Sequence, residues 1–178
     1  MLVVGAKIVT EEIENSAGAN PYSITLSAEQ TASSGTVTTV DFTSIPAGTK
    51  HITLMGEMVS TDGTEELMIQ LGDSSGFETS GYVGQCLFHD STTDTHSSHF
   101  FLNTSTVAAE EYDFIVNLYL MNASTNQWVI HAITMAQASL VFWSTGTKSL
   151  GGELTQVRVS SDGTPDDFDS GTVAMQFQ

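Results

Sequence analysis

The stretch HITLMGEMVS, residues 51–60, alternates in steps of two. Ile52, Leu54, Gly56 and Met58 fall on one side of an extended chain, and His51, Thr53, Met55 and Glu57 on the other. That pattern reads as a β-strand with one side in a core. Comparable runs recur on both sides of it: SITLSAE, GTVTTVDFT, ELMIQLG, GYVGQCLF, SHFFL, DFIVNLYLMN, QWVIHAITMA, ASLVFWS, ELTQVRVS and TVAMQFQ. Between the runs stand SSG, IPAGT, STDGT, GDSSG, STGT and SDGT, which bring the Gly, Asp and Ser that turns require. About eleven short strands at this spacing predict an all-β fold, a single antiparallel β-sandwich of jelly-roll-like form.

A chain of 178 residues suits one domain with a sizeable core. The boundary is placed at residue 23, with residues 1–22 as an N-terminal arm and 23–178 as the sandwich. Within the arm, KIVTEEIE can form a short helix capped by Thr10, but one too short to stand alone in water. The arm is therefore expected to order against a neighbour, with Val3, Val4, Ile8 and Ile13 as its docking contacts.

In ELMIQLGDSSGFETSGYVGQ, residues 66–85, a strand runs into a loop rich in Gly, Ser and Thr. In a phosphate-binding loop the glycines lead into a helix whose free amides face the anion. Here they lead into GYVGQCLF, which is β-like, and the closing Gly-Lys-Ser/Thr is missing. Residues 72–81 are therefore expected to form a loop between strands, with any ligand role secondary.

Four Lys and Arg stand against 21 Asp and Glu, a formal charge of −17. Such a chain repels nucleic-acid backbones and anionic lipid, so no nucleic-acid partner is expected. No apolar segment is long enough to span a membrane, and the first residues lack the features of a signal peptide. The expectation is synthesis in a cytoplasm without membrane insertion. The single cysteine, Cys86, has no partner for an intrachain disulfide and lies in an apolar run, which reads as a small core residue.

The succession DFTSIPAGTKHITLMGEMVSTDGTEELMIQLGDSSGFETSGYVG, then NQWVIHA, GTKSLGGELTQVRVSS and DDFDSGTVAMQF, resembles a domain of tailed-bacteriophage virion proteins, found on tail-fibre-like chains and as small external structural proteins. The resemblance covers roughly residues 37–178. Ile45-Pro46, Lys50, Ser60 to Gly63, Gln70 to Gly72, Ser80 to Tyr82, Leu154 to Val159 and Phe168 to Gly171 fill the family's motif positions, Ser80 standing where Thr is usual. It implies a β-rich, oligomeric domain on the outside of a phage particle, and no catalysis to transfer.

Two clusters carry metal-ligating residue types. His89, His96 and His99 lie with Asp90 and Asp94 in one segment, and Asp166, Asp167 and Asp169 lie in SDGTPDDFDSG. The first could suit a transition metal and the second calcium, although the second lacks the EF-hand spacing and its final Glu. The alternatives are a solvated loop and a plain turn. No Gly-x-Ser-x-Gly elbow and no long β-helical repeat occurs, so an enzyme is not expected and no cofactor is assigned beyond a divalent cation at these clusters. Arg158 alternates with Val157 and Val159 and is expected to pair with a carboxylate, within the chain or across a subunit boundary. Trp128, Trp143, Phe142, Tyr119 and Tyr82 read as core, with a rim Trp or Tyr able to stack on a host-surface glycan.

The chain is thus read as a virion structural protein, a homotrimer displayed externally, whose partners are its own copies and other tail or capsid proteins. As a tail-fibre or receptor-binding component it would offer Ser74, Phe77, Thr79 and Asp94 on loops facing the receptor. As a capsid decoration protein its arm would cross neighbouring subunits. A carbohydrate-binding module is the alternative of another class.

Overall fold

The structure, a computed structural model, describes residues 24–33, 35–88, 93–95, 97–104, 107–108, 110–137 and 140–178. Val3, Val4, Ile8, Ile13, His89, Asp90 and His96 lie outside them. The described residues contain no helix. Their strands are β1 (Thr25–Leu26), β2 (Gln30–Thr31), β3 (Thr39–Thr43), β4 (His51–Thr61), β5 (Leu67–Asp73), β6 (Gly76–Phe77) and β7 (Tyr82–Phe88). The chain continues through β8 (Thr93–Asp94), β9 (Phe100–Phe101), β10 (Tyr112–Asn122), β11 (Gln127–Ala136), β12 (Leu140–Ser149), β13 (Gln156–Ser161) and β14 (Phe168–Phe177).

Two antiparallel sheets form a sandwich-like, all-β body, as the alternation requires. The large sheet runs β1-β14-β4-β10-β11-β12-β7-β8, with β2 also on β14. The small sheet runs β3-β13-β5-β6, with β9 also on β5. The inner face of the large sheet carries Leu54, Val116, Trp128, Ile130 and Phe142, and the small sheet meets it with Val40, Phe42, Ile69, Leu71, Val157 and Val159. All are buried, and full burial of each such side chain stabilises by about 1.5–3 kcal/mol. Cys86 belongs to the same core.

Two local expectations are corrected. STGT is not a turn, because β12 runs straight through it. Gly146 pairs with Gly84 on β7 and Ile130 on β11, and the bare glycine backbones leave room for the Phe100 ring. Met58 does not follow Ile52 and Leu54 into the core. The pairings of β4 with β10 and with β14 both skip a residue there, Met58 has φ +51°, and its side chain faces solvent while Val59 takes the buried position. Such a bulge reverses which parity points inward. Gly171, φ +98°, sits against the Met58 carbonyl, where a Cβ would collide with backbone.

Candidate functional site

The Gly-Ser-Thr loop is a hairpin locked from within. Asp73 accepts hydrogen bonds from the Ser75 amide (2.7 Å) and hydroxyl, which hold its carboxyl below the usual range. The turn leads into β6, where Phe77 lies under the Arg158 guanidinium at 4.0 Å. Arg158 in turn grips Asp41, its direct neighbour on β3, through two bonds of 2.7 Å. The expected partner carboxylate is thus in the same chain. Beyond β6, Glu78 binds the buried Lys148 at 2.6 Å and accepts from the Gly151 amide at 3.0 Å. The Lys148 bond, then the Gly151 amide, hold the Glu78 carboxyl low. Tyr82 closes the arrangement. Its oxygen accepts from the Leu71 amide at 2.8 Å, and burial pushes its phenol far up.

Of the residues expected to face a receptor, Ser74 and Thr79 are exposed, Phe77 is half covered by Arg158, and Asp94 pairs through its backbone with Cys86 at the far edge of the other sheet. The first three belong to the small-sheet hairpin and Asp94 to β8 of the large sheet. Of the histidines, His99 is buried. Its Nδ1 lies 3.0 Å from the Ser98 hydroxyl and 3.8 Å from Asp162, and its ring meets the Phe101 ring edge-on.

The acidic cluster is spread over separate tasks. Asp166 accepts from the Glu65 amide (2.8 Å), the Asp167 amide donates to the Asp62 carboxylate while its carbonyl accepts from the Asp62 amide (3.0 Å each), and Asp169 accepts from the Ser60 hydroxyl. These bonds tie the 62–65 turn to the 162–169 segment. Among the described residues no three His, Cys, Asp or Glu groups are placed to hold one metal ion.

What the sequence reading missed is the outer face of the large sheet. Register pairs Ala174 with Met55, Met55 with Ile115, Ile115 with Ile133, Ile133 with Trp143, and Trp143 with Leu87. Directly paired residues share a face, so these six form an apolar row across six strands. Ile115, Ile133, Trp143 and Leu87 are each about two-fifths exposed, Trp143 at 43%. Met135 and Val141 widen the row on one side. On the other side runs a polar row of Gln176, Thr53, Asn117, His131, Thr145 and Gln85. Beyond it Tyr119, Val129 and Val83 restore apolar surface, with the Tyr119 ring stacked on His51 at 4.5 Å.

The carboxylates of this face, Glu57 and Asp113, lie at one border, and Asp113 accepts bonds from the Met58 amide and the Gln137 side chain. Over its β7–β12 end lies a groove of about 720 Å³ lined by Val83, Gln85, Thr95, Ser97, Thr145 and Thr147. These side chains offer methyls, hydroxyls and an amide, which suit contact with an uncharged surface. A signal for this face was present. DFIVNLYLM and WVIHAITM carry apolar residues at both parities, the pattern of strands covered on both faces.

No protein-family model matches the chain, and no curated protein matches it.

Proposed function

We propose that this chain is a structural protein displayed on the exterior of a phage virion, as a tail-associated component. The observation that supports this reading is the contrast in how its polar groups are used. Its paired charges (Asp41–Arg158 and Glu78–Lys148) and its Asp166 and Asp169 carboxylates are engaged in holding loops and sheets together, while one broad face, with Glu57 and Asp113 at its border, is left available for contact. That is the anatomy of a part that binds by surface. The linked segments between residues 37 and 178 supply the phage assignment, and the exposed Ser74 and Thr79 at the hairpin supply a place for host contact.

Antibody-gold labelling of purified particles, with heads and tails separated, tests it. Label on tails is expected. Label over heads would move the protein to the capsid-decoration role, and particles free of label would overturn the virion reading.

A further inference from the structure

We infer that the outer face of the large sheet is the contact surface for a second copy of this chain, closing a two-fold dimer with the two large sheets stacked face to face. Charge selects the partner and the place. A chain of net charge −17 repels its own copies over most of its surface. Across the rows from Met55, Ile115, Ile133 and Trp143 to Tyr119 and Val83 the face holds no carboxylate and no Lys or Arg. Two copies can therefore approach there without bringing like charges into register. Glu57 and Asp113 stand at the border, where water can still reach them.

Size allows the same partner. Six strands spaced about 4.8 Å apart, over about five uncharged residues of each strand, span about 500 Å² in plan, and side chains standing off the sheet present more than that. A stable complex buries about 600–1,000 Å² of accessible surface per partner. Two apolar rows flank the polar row and cross the strands at right angles, so a two-fold axis lying along the polar row sets Ile115, Ile133 and Leu87 of one copy against Tyr119, Val129 and Val83 of the other and leaves Glu57 and Asp113 at the border. The surface is then isologous, as a two-fold requires. This assignment puts a two-fold assembly in place of the homotrimer expected from the sequence, and stands independently of where the protein is mounted.

The test is light scattering coupled to size exclusion on the full chain over a range of concentrations. The wild type is expected at twice the 19.0 kDa chain mass. Ile133→Glu and Trp143→Glu would each set two like charges inside the dimer and are expected to weaken it more than about 100-fold. Their circular dichroism and thermal melts at low concentration should match those of the wild type. Thr43→Glu, an exposed change on the small sheet, should remain dimeric. Ile133→Gln, which adds no charge, should weaken the dimer to a smaller degree and covers the case in which a Glu variant fails to fold.

A monomeric wild type overturns the proposal, as does an oligomer other than a dimer, or a dimer indifferent to these substitutions. If removing residues 1–20 turns a monomer into a dimer, the face is covered by the chain's own arm, and the proposal also fails. Particle labelling is not involved, so failure here leaves the virion reading where it was.

Discussion

On the outer face of the small sheet, polar side chains are spent on the chain itself: Arg158 on Asp41 and Phe77, Gln70 on the Ser98 carbonyl, Gln156 on the Asp73 carbonyl. On the outer face of the large sheet, Ile115, Ile133, Trp143 and Val83 stand exposed, Val83 at 70%, with no cover among the described residues. Both faces come from strands of the same alternating pattern. The difference teaches that one side of the sandwich is finished by intramolecular bonds, and the other is finished only by something that brings surface of its own.

The comparison breaks most visibly at the two tryptophans. Trp128, buried on the inner face, should cost about 3–5 kcal/mol when changed to Ala, read as a lower urea midpoint. Trp143→Ala should leave the stability of the isolated chain within about 0.5 kcal/mol and act on association instead. Equal losses at both positions would mean that Trp143 is covered within the chain.

Next in size is Lys148, the cation buried at the edge of the core. Lys148→Met keeps the apolar stem but strands Glu78, and should cost about 2 kcal/mol. Because Glu78 is held low in the folded chain, its contribution is fully present above the ordinary carboxylate range and fades as pH falls through the folded value. The stability gap between wild type and Glu78→Gln should accordingly shrink below about pH 4, the ordinary Glu range, when urea midpoints are compared across pH. A gap that grows on acidification would contradict the pairing.

The smallest effect is expected at Asp41→Asn. It loosens a part-exposed pair and should cost about 1 kcal/mol or less, with the dimer mass unchanged in light scattering. A change in mass would bring the small sheet into the contact surface and erase the distinction between the two faces.

Much of the fold was legible because alternation is a local signal. HITLMGEMVS, ELMIQLG, DFIVNLYLMN and QWVIHAITMA became β4, β5, β10 and β11 nearly to the residue. The two-residue strands β2, β6 and β8 were not legible, since pairing that short is set by the neighbour and not by its own pattern. Nor was the bulge at Met58, which depends on Gly171 more than a hundred positions away and appears in the sequence only as a run that alternates too well. The candidate ligand clusters were read from proximity along the chain, which does not show what each side chain bonds to: His99 goes into the interior, Asp166 takes the Glu65 amide and Asp169 the Ser60 hydroxyl. The contact face was written in the apolar residues of both parities in β10 and β11, but recognising it requires the register that sets Ile115, Ile133 and Trp143 side by side.

The ends of the large sheet close with very little strand. β1 and β8, the outermost members on either side, are two residues each, so no long row of unpaired amides and carbonyls is offered there. A neighbour's strand finds little template in β1 or β8 on which to extend the large sheet. Copies that meet at these two ends gain few shared backbone bonds, in contrast to the breadth that the outer face of the same sheet presents.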